Sequence, residues 1–145
     1  MDDNQRRDAG MTQRRKVLGN EWVDKSIANR NAFNTEFQEL ITRYAWGDIW
    51  TRPHLSLRDR QLATLAAGIA LARTSGNHSH YHSALHIGIT KEEIMELILH
   101  VGQYAGWPTI GLAMRQFNKV LKAAEANKKG GKRKSVAELS KEWER

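Results

Sequence analysis

The stretch 37–53, FQELITRYAWGDIWTRP, carries charged and aromatic side chains at spacings that could bind a small anion. On a helix, Glu39, Arg43 and Trp46 stand at positions i, i+4 and i+7 and therefore share one face. Arginine can hold a carboxylate through two parallel hydrogen bonds, so this face could bind an acid. The alternative interpretation is an amphipathic core helix with a solvent-exposed Glu39–Arg43 pair, which is a common arrangement.

The end of the same stretch adds a second arginine and a second indole ring. Trp50 follows Trp46 at i+4, and Arg52 stands directly before Pro53. Because proline pushes the residue before it out of the helical region, the helix should end here. Two arginines beside two indole rings would suit a small, flat, anionic substrate.

Four of the six histidines lie in one short segment, as His78, His80, His82 and His86. On a straight helix, the first, third and fourth of these line up, whereas His80 points about 160° away. All four therefore cannot bind one metal ion. A pair at i and i+4 could bind zinc if a third ligand, such as His54 or His100, came from elsewhere. The other interpretations are a solvated or interface face and contacts to a substrate.

Length and composition exclude several classes of protein. With 145 residues the chain is long enough for one domain with a substantial core. It has no cysteine, which excludes disulfides, thiolate zinc sites and redox dithiols. The net charge of +7 lies mostly in residues 128–145, so we interpret it as a solvated tail and expect no nucleic-acid partner.

The hydropathy pattern predicts where in the cell the protein is located. No apolar run reaches the roughly 18 residues that a membrane span requires. The first residues are too polar for a secretory signal. We therefore expect a cytoplasmic protein with no membrane partner.

Capping residues and apolar periodicity predict an all-α fold of about six or seven helices, since no segment alternates with a period of two. Ser56 with Asp59 should begin one helix. Thr90 with Glu93 forms a capping box for another, and a further helix should run from Thr109 to about Glu125. Pro108 suits the first turn of this last helix.

The first third of the chain should contain an arm and two helices. Residues 2–17 are polar and could form a helix that ends at Gly19, either as a frayed arm or as one that wraps a neighbouring subunit. Asn20 can cap a short helix. Asn34 or Thr35 should begin the central helix, which we expect to end at about Trp46.

The stretch FQELITRYAWGDIWTRP closely resembles the signature of gamma-carboxymuconolactone decarboxylases, which belong to the same superfamily as alkylhydroperoxidase D. MDDNQRRDAGMTQRRKVLGNEWVD is similar to the N-terminal arm of that family. The resemblance covers about residues 6–121. It implies an alkylhydroperoxidase D-like helical bundle that assembles as a homo-oligomeric trimer or hexamer. We accordingly divide the chain into a helical domain, 1–126, and a basic tail, 127–145, that could contain a short helix.

The resemblance also implies an activity. These enzymes remove CO2 from 4-carboxymuconolactone to give an enol-lactone, in the protocatechuate or beta-ketoadipate route of aromatic catabolism. The substrate would be a small carboxylate-bearing lactone, and the reaction requires no metal and no organic cofactor.

The resemblance singles out His80, because related enzymes have a histidine eight residues before the glycine of a turn that here reads GlyIleThr, 88–90. In the peroxidase branch this histidine works with two cysteines, which are missing here, and a glutamate, which is Gln61 here. Peroxidase chemistry is therefore excluded. The chain also departs from the decarboxylase pattern within 74–88, where His82 stands in place of an arginine.

These comparisons lead to a catalytic hypothesis. His80 would protonate the intermediate as the general acid, because the imidazole pKa lies near neutrality. Glu39 would orient Arg43 or His80 as the second catalytic residue.

Five residues are candidates for substrate binding. Arg43 and Arg52 would bind a carboxylate, and His82 would contact the substrate. Trp46 and Trp50 would form walls beside the ring and exclude water, which strengthens the nearby charges.

Two other functions remain open from the residues alone. One is a different small-molecule enzyme on the same scaffold that depends on a metal held by the histidines. The other is a non-catalytic oligomeric binding protein whose basic tail engages its partner.

Overall fold

A computed structural model describes residues 1–73 and 76–128. Their regular structure is helical throughout, so the predicted all-α class is confirmed. The elements in chain order are α1 (Asp3–Leu18), α2 (Asn20–Ala28), α3 (Thr35–Leu40), a π-helix (Ile41–Ile49), α4 (Leu57–Ala70), α5 (Asn77–His86), α6 (Lys91–Ala105) and α7 (Trp107–Lys128). None of these helices combines the length and apolar character needed to span a membrane.

The chain divides into two compact units, an N-terminal unit, Met1–Arg60, and a C-terminal unit, Gln61–Arg145. The expected tail, 127–145, lies outside the described residues except for its first two positions, which continue α7. The predicted boundary at residue 126 therefore stays a prediction.

In the N-terminal unit, α1 begins at a capping box that the sequence reading did not identify. The Asp2 carboxylate accepts a hydrogen bond from the Gln5 amide at 2.8 Å, and the Gln5 side chain accepts one from the Asp2 amide at 2.9 Å. Val17 and Leu18 of this helix are buried. The alternative of a frayed arm is wrong, because α1 is a helix that packs against the π-helix of its own unit. The alternative that it wraps a neighbouring subunit stays a prediction.

Two glycines allow α1 to cross the π-helix at backbone distance. A Cβ atom on Gly10 would overlap the carbonyl oxygen of Thr42, and one on Gly47 would overlap the carbonyl oxygen of Arg6. Any larger side chain at either position would push the two helices apart. The crossing therefore depends on the absence of a side chain at both positions.

The central helix differs from its prediction in form and length. It begins at Thr35 as expected, but after Leu40 it widens into the π-helix and continues through Gly47 to Ile49. The amide of Trp50 closes it with a hydrogen bond to the Ala45 carbonyl oxygen at 3.0 Å. Turns of this wider type are rare and occur frequently at functional sites.

A buried arginine joins the helices of the N-terminal unit. The guanidinium of Arg14 donates to the side-chain oxygens of Ser26 and Gln38, each at 2.9 Å, and of Thr42 at 3.3 Å. All three partners are uncharged, so burial, followed by repulsion from Arg30, lowers the pKa of Arg14. One side chain on α1 thereby fixes its position against α2, α3 and the π-helix.

The C-terminal unit has an apolar core contributed by four helices. Leu65 and Ile69 of α4, Tyr81 of α5, Ile98 of α6 and Phe117 of α7 are almost completely buried. The rings of Tyr81 and Phe117 stack with their centroids 5.2 Å apart. This core holds α4 and α5 side by side.

The helix starts predicted from capping residues are confirmed. The amide of Asp59 donates to the Ser56 hydroxyl at 3.0 Å, and Thr90 forms the expected capping box with Glu93. In α2 the prediction shifts by one residue, because the cap position is Gly19 and Asn20 is already helical. Helix α7 begins at Trp107 rather than Thr109, which places Pro108 in its first turn as expected.

Candidate active site

A cavity of about 440 Å³ opens in the C-terminal unit between the end of α4 and the start of α5. Its lining residues are Thr64, Ala67, Gly68, Leu71, Arg73, Gly76, Asn77 and His80. The volume is in the range that holds small metabolites. We refer to it as the His80 cavity.

The His80 cavity depends on close packing between α4 and α5. Gly68 lies directly against the Asn77 side chain, and a Cβ atom there would overlap the amide. Asn77 is the first residue of α5 and is buried, so its position fixes where that helix begins. His80 follows one turn later on the cavity side.

Gln61 holds the turn of α5 that carries His80. Its amide nitrogen donates to the backbone carbonyl of His80 at 2.9 Å, and its amide oxygen accepts from the Ser83 hydroxyl at 3.0 Å. Gln61 is completely buried. It takes the position where the resemblance places a glutamate, and here it positions the histidine through the backbone.

Burial controls the charge of the histidines on α5. It lowers the pKa of His80, so without a bound anion the imidazole is mainly neutral at pH 7. His78 is affected more strongly, since burial, then the charges of His80 and His82, lowers its pKa to about 4. A neutral His80 could gain a proton when a negatively charged ligand enters the cavity.

We expect the free energy of unfolding to decrease as the pH falls from about 6.5 towards 4. The unfolded chain takes up a proton at His78 near its ordinary pKa of 6.5, whereas the folded chain resists until about 4. The slope for one proton is at most about 1.4 kcal/mol per pH unit, reduced here because the ring is partly exposed. Urea unfolding at several pH values would measure it.

The matched variant for this prediction is His78→Gln. It should flatten the dependence between pH 4 and 6.5, leaving the smaller contribution that His80 makes in the same direction. An unchanged slope would show that His78 does not carry the effect.

Two buried polar groups lie beside the cavity wall. Burial raises the pKa of the Tyr81 hydroxyl, and the nearby Asn77 amide acts in the opposite direction. Neither the Tyr81 hydroxyl oxygen nor the Asn77 side-chain nitrogen has a hydrogen-bond partner among the described residues. Asn77 is thus a cavity-lining donor that sequence reasoning did not consider.

Arg73 is a charged lining residue that the sequence analysis did not predict. It lies at the rim of the His80 cavity and is exposed. No motif or spacing in the sequence marks it, because it follows the end of α4 and reaches the cavity only through the fold.

The predicted residues of the aromatic stretch lie in the N-terminal unit, where Glu39 has partners other than Arg43. Its carboxylate accepts hydrogen bonds from Arg7 at 2.9 Å and Arg30 at 2.6 Å. Burial acts to raise the pKa of Glu39, but these two arginines outweigh it, and the pKa lies below its ordinary value. The expected Glu39–Arg43 side-chain pair is therefore wrong.

Arg43 makes different contacts from those predicted. Its guanidinium forms an ion pair with Asp3 at 3.1 Å and donates from Nε to the backbone carbonyl of Glu39 at 3.4 Å. It also lies 5.7 Å from the centre of the Tyr44 ring. Any role of Arg43 in carboxylate binding stays a prediction.

The structure brings the two predicted indole rings together. Trp46 is buried and Trp50 half-buried, with ring centroids 4.8 Å apart. Arg52 is exposed, and its backbone carbonyl accepts a hydrogen bond from Arg60 at 2.8 Å. Their proposed contacts to a substrate are untested.

The second histidine of the prediction lies on another side of α5. His82 stacks on His86 with ring centroids 6.2 Å apart, which is the i, i+4 arrangement expected on a helix. His82 does not line the His80 cavity. Within residues 1–73 and 76–128, no group of three or more His, Asp or Glu side chains is placed to hold a metal ion.

The fold and the site define a helical protein with a small cavity and a half-buried histidine, and comparison with known proteins identifies its family. A sequence model of the carboxymuconolactone decarboxylase family matches residues 35–119. The chain belongs to this family, as the resemblance predicted.

Three curated relatives are similar to this chain. A 4-carboxymuconolactone decarboxylase of Acinetobacter baylyi is 42% identical over 122 residues, which cover 84% of this chain and 91% of the relative. A nitrosuccinic acid decarboxylase of Metarhizium robertsii is 38% identical over 107 residues, 74% of this chain and 75% of the relative. A 4-carboxymuconolactone decarboxylase sequence of Pseudomonas putida is 58% identical over 48 residues, 33% of this chain and 100% of the relative.

Proposed function

We propose that this protein is a carboxy-lyase that decarboxylates 4-carboxymuconolactone to an enol-lactone and CO2 in aromatic catabolism. The observation that carries the proposal is His80, a histidine on a metabolite-sized cavity in a chain that belongs to the decarboxylase family. The similarity to the Acinetobacter baylyi enzyme over most of both chains supports the choice of substrate.

The chemistry requires one bond to break and one proton to move. The bond between the ring carbon and its carboxylate breaks, and CO2 leaves without the bonding electrons. These electrons pass into the conjugated double bond and lactone carbonyl, which act as the electron sink. A proton then adds to the carbon next to the carbonyl, giving the enol-lactone. Because the substrate provides its own electron sink, we propose that no metal or organic cofactor takes part.

His80 supplies the proton in this scheme. Its imidazole is mainly neutral before an anion binds, because burial lowers its pKa. A bound substrate carries two carboxylates, and negative charge nearby raises the pKa of a histidine. Substrate binding thus leads His80 to take up from solvent the proton that the intermediate receives, and His80 returns to its neutral form for the next substrate.

The residues of the N-terminal unit keep narrower roles. Arg43 and Arg52 remain candidates for carboxylate binding, and Trp46 and Trp50 remain candidates for apolar contacts. Glu39 binds two arginines of its own unit, so we assign it the role of fixing that unit rather than a catalytic step.

In the C-terminal unit, His82 remains a candidate for substrate contact.

The state of the protein in solution is part of the proposal. We propose a cytoplasmic protein, and the resemblance to the family implies a homo-oligomer, either a trimer or a hexamer. Light scattering on purified protein would distinguish these from a monomer of 16.6 kDa.

A second substrate class is favoured by one comparison. The relative from Metarhizium robertsii is named for the decarboxylation of nitrosuccinic acid, which is also a small acid with two carboxylates. Removal of CO2 next to a nitro group likewise leaves electrons in a group that accepts them. The His80 cavity could therefore serve a nitro acid in place of the lactone.

The test is a spectrophotometric assay of the purified full-length protein with 4-carboxymuconolactone, with and without a chelator. Turnover that the chelator does not change supports the cofactor-independent lactone decarboxylase. Turnover of nitrosuccinate but not of the lactone would transfer the activity to the second substrate class. No turnover of either compound would overturn the proposal and favour a non-catalytic role.

A further inference from the structure

Arg73 lines the His80 cavity, and its guanidinium is not bound by any other described residue. Its guanidinium forms no ion pair or hydrogen bond with another residue of 1–73 or 76–128. By contrast, Arg6, Arg7, Arg30 and Arg43 each bind a carboxylate of their own unit. The charge of Arg73 is thus available to a ligand.

The backbone of Arg73 is fixed even though its side chain is exposed. Helix α4 ends with the Ala72 amide bonded to the Ile69 carbonyl at 2.9 Å and the Arg73 amide bonded to the Gly68 carbonyl at 3.1 Å. These two hydrogen bonds form a Schellman motif, in which Ala72 adopts the left-handed conformation at φ 50°. On the other side, Gln116 of α7 donates to the Arg73 carbonyl at 2.6 Å. The backbone position from which the Arg73 side chain extends at the cavity rim is therefore fixed.

The composition of the cavity wall matches an anionic ligand. Of its eight lining residues, Arg73 is charged at neutral pH and none is acidic. Thr64 and Asn77 add neutral hydrogen-bonding groups, and Ala67 and Leu71 are apolar. A carboxylate entering this space would meet a guanidinium without a competing carboxylate from the wall.

We propose that Arg73 binds the carboxylate that the substrate retains, the one on its acetate side chain. The inference rests on the proposed function. A cation on the departing carboxylate would stabilise the substrate more than the transition state, in which that charge leaves as neutral CO2. A cation on the retained carboxylate holds substrate and transition state equally. Arg73 therefore acts as the anchor that orients the ring toward His80.

The inference predicts a selective effect of Arg73→Met on binding. Uniform binding affects KM and leaves kcat nearly unchanged, so KM should rise on the order of 10- to 100-fold. Arg73→Lys should recover part of this loss, because lysine keeps the charge but not the paired hydrogen bonds. The matched control is Arg115→Met, an exposed arginine of α7 that does not line the cavity. Its KM should equal that of the parent.

Binding measured without turnover separates this inference from the proposed function. The probe is muconolactone, which has the ring and the acetate side chain but lacks the departing carboxylate. Calorimetric titration should show a Kd for Arg73→Met on the order of 10- to 100-fold weaker than for the parent and Arg115→Met. Equal affinity in a parent that turns over the lactone would overturn the role of Arg73 and leave the function intact. A parent that binds muconolactone through Arg73 but shows no turnover would overturn the function alone.

Discussion

Replacing His80 with glutamine is expected to lower kcat for the lactone by about 10²- to 10⁴-fold, the usual contribution of a general acid. Glutamine keeps hydrogen-bonding capacity but cannot deliver a proton at neutral pH. The fold should be retained, since Gln61 binds the backbone carbonyl of residue 80 and not its side chain. The measurement is the steady-state rate of lactone loss, with circular dichroism to verify folding.

A matched histidine on the same helix serves as the control for this variant. His78→Gln removes a histidine two positions away that does not line the cavity, so its kcat should stay within a few-fold of the parent. A folded His80→Gln variant with a rate close to that of the parent would remove His80 from the mechanism. Equal losses in both variants would indicate a general effect on α5 rather than proton transfer.

The same assignment predicts two different pH profiles. The profile of kcat/KM reports the free enzyme, in which burial lowers the pKa of His80 below 6.5. The profile of kcat reports the complex, in which the anionic substrate raises that pKa. Both rates should fall as the pH rises and the acid form is lost, but kcat should fall at the higher pH.

Much of the helical framework could be predicted from the sequence because its determinants are local. Ser56 and Thr90 begin helices through bonds to residues three positions away, and such pairs can be identified within a short window. With the histidine segment considered as a helix, the relation between His82 and His86 then followed from their spacing of four residues. The family resemblance supplied the proposed role of His80, which spacing could not provide.

The predictions that failed concern residues whose contacts are made with distant positions in the sequence. Glu39 pairs with Arg7, 32 residues away, and this contact displaces the local partner that its helical spacing suggested. Arg73 has no unusual neighbour in sequence, and it became a candidate only when α4 and α5 enclosed a cavity beside it. The widening of the central helix after Leu40 likewise accompanies packing against α1. Helical spacing and capping patterns do not reveal such long-range contacts.

Among the substitutions considered, Gly10→Ala is expected to lower the free energy of unfolding the most. In Gly10→Ala the new methyl group would overlap the carbonyl oxygen of Thr42 and approach the amide of Gly47, both of them backbone atoms that cannot rotate away. Helices α1 and the π-helix would have to separate, which would also disturb the buried bond from Arg14 to Thr42. Overpacking of this kind costs about 1–3 kcal/mol and occasionally more. Urea unfolding should show a lower midpoint with little change in slope.

Gly111 provides a control in which the same substitution should act in the opposite direction. It lies inside α7, and a Cβ atom there would meet only the Arg115 guanidinium at an ordinary 3.5 Å. Alanine is favoured over glycine in a helix by about 0.5–1 kcal/mol, so Gly111→Ala should raise the midpoint. If both variants were stabilised, the close crossing of α1 and the π-helix would be wrong, because helix propensity alone would then decide both positions. Opposite signs would show that Gly10 is required by the packing of backbone against backbone and not by flexibility.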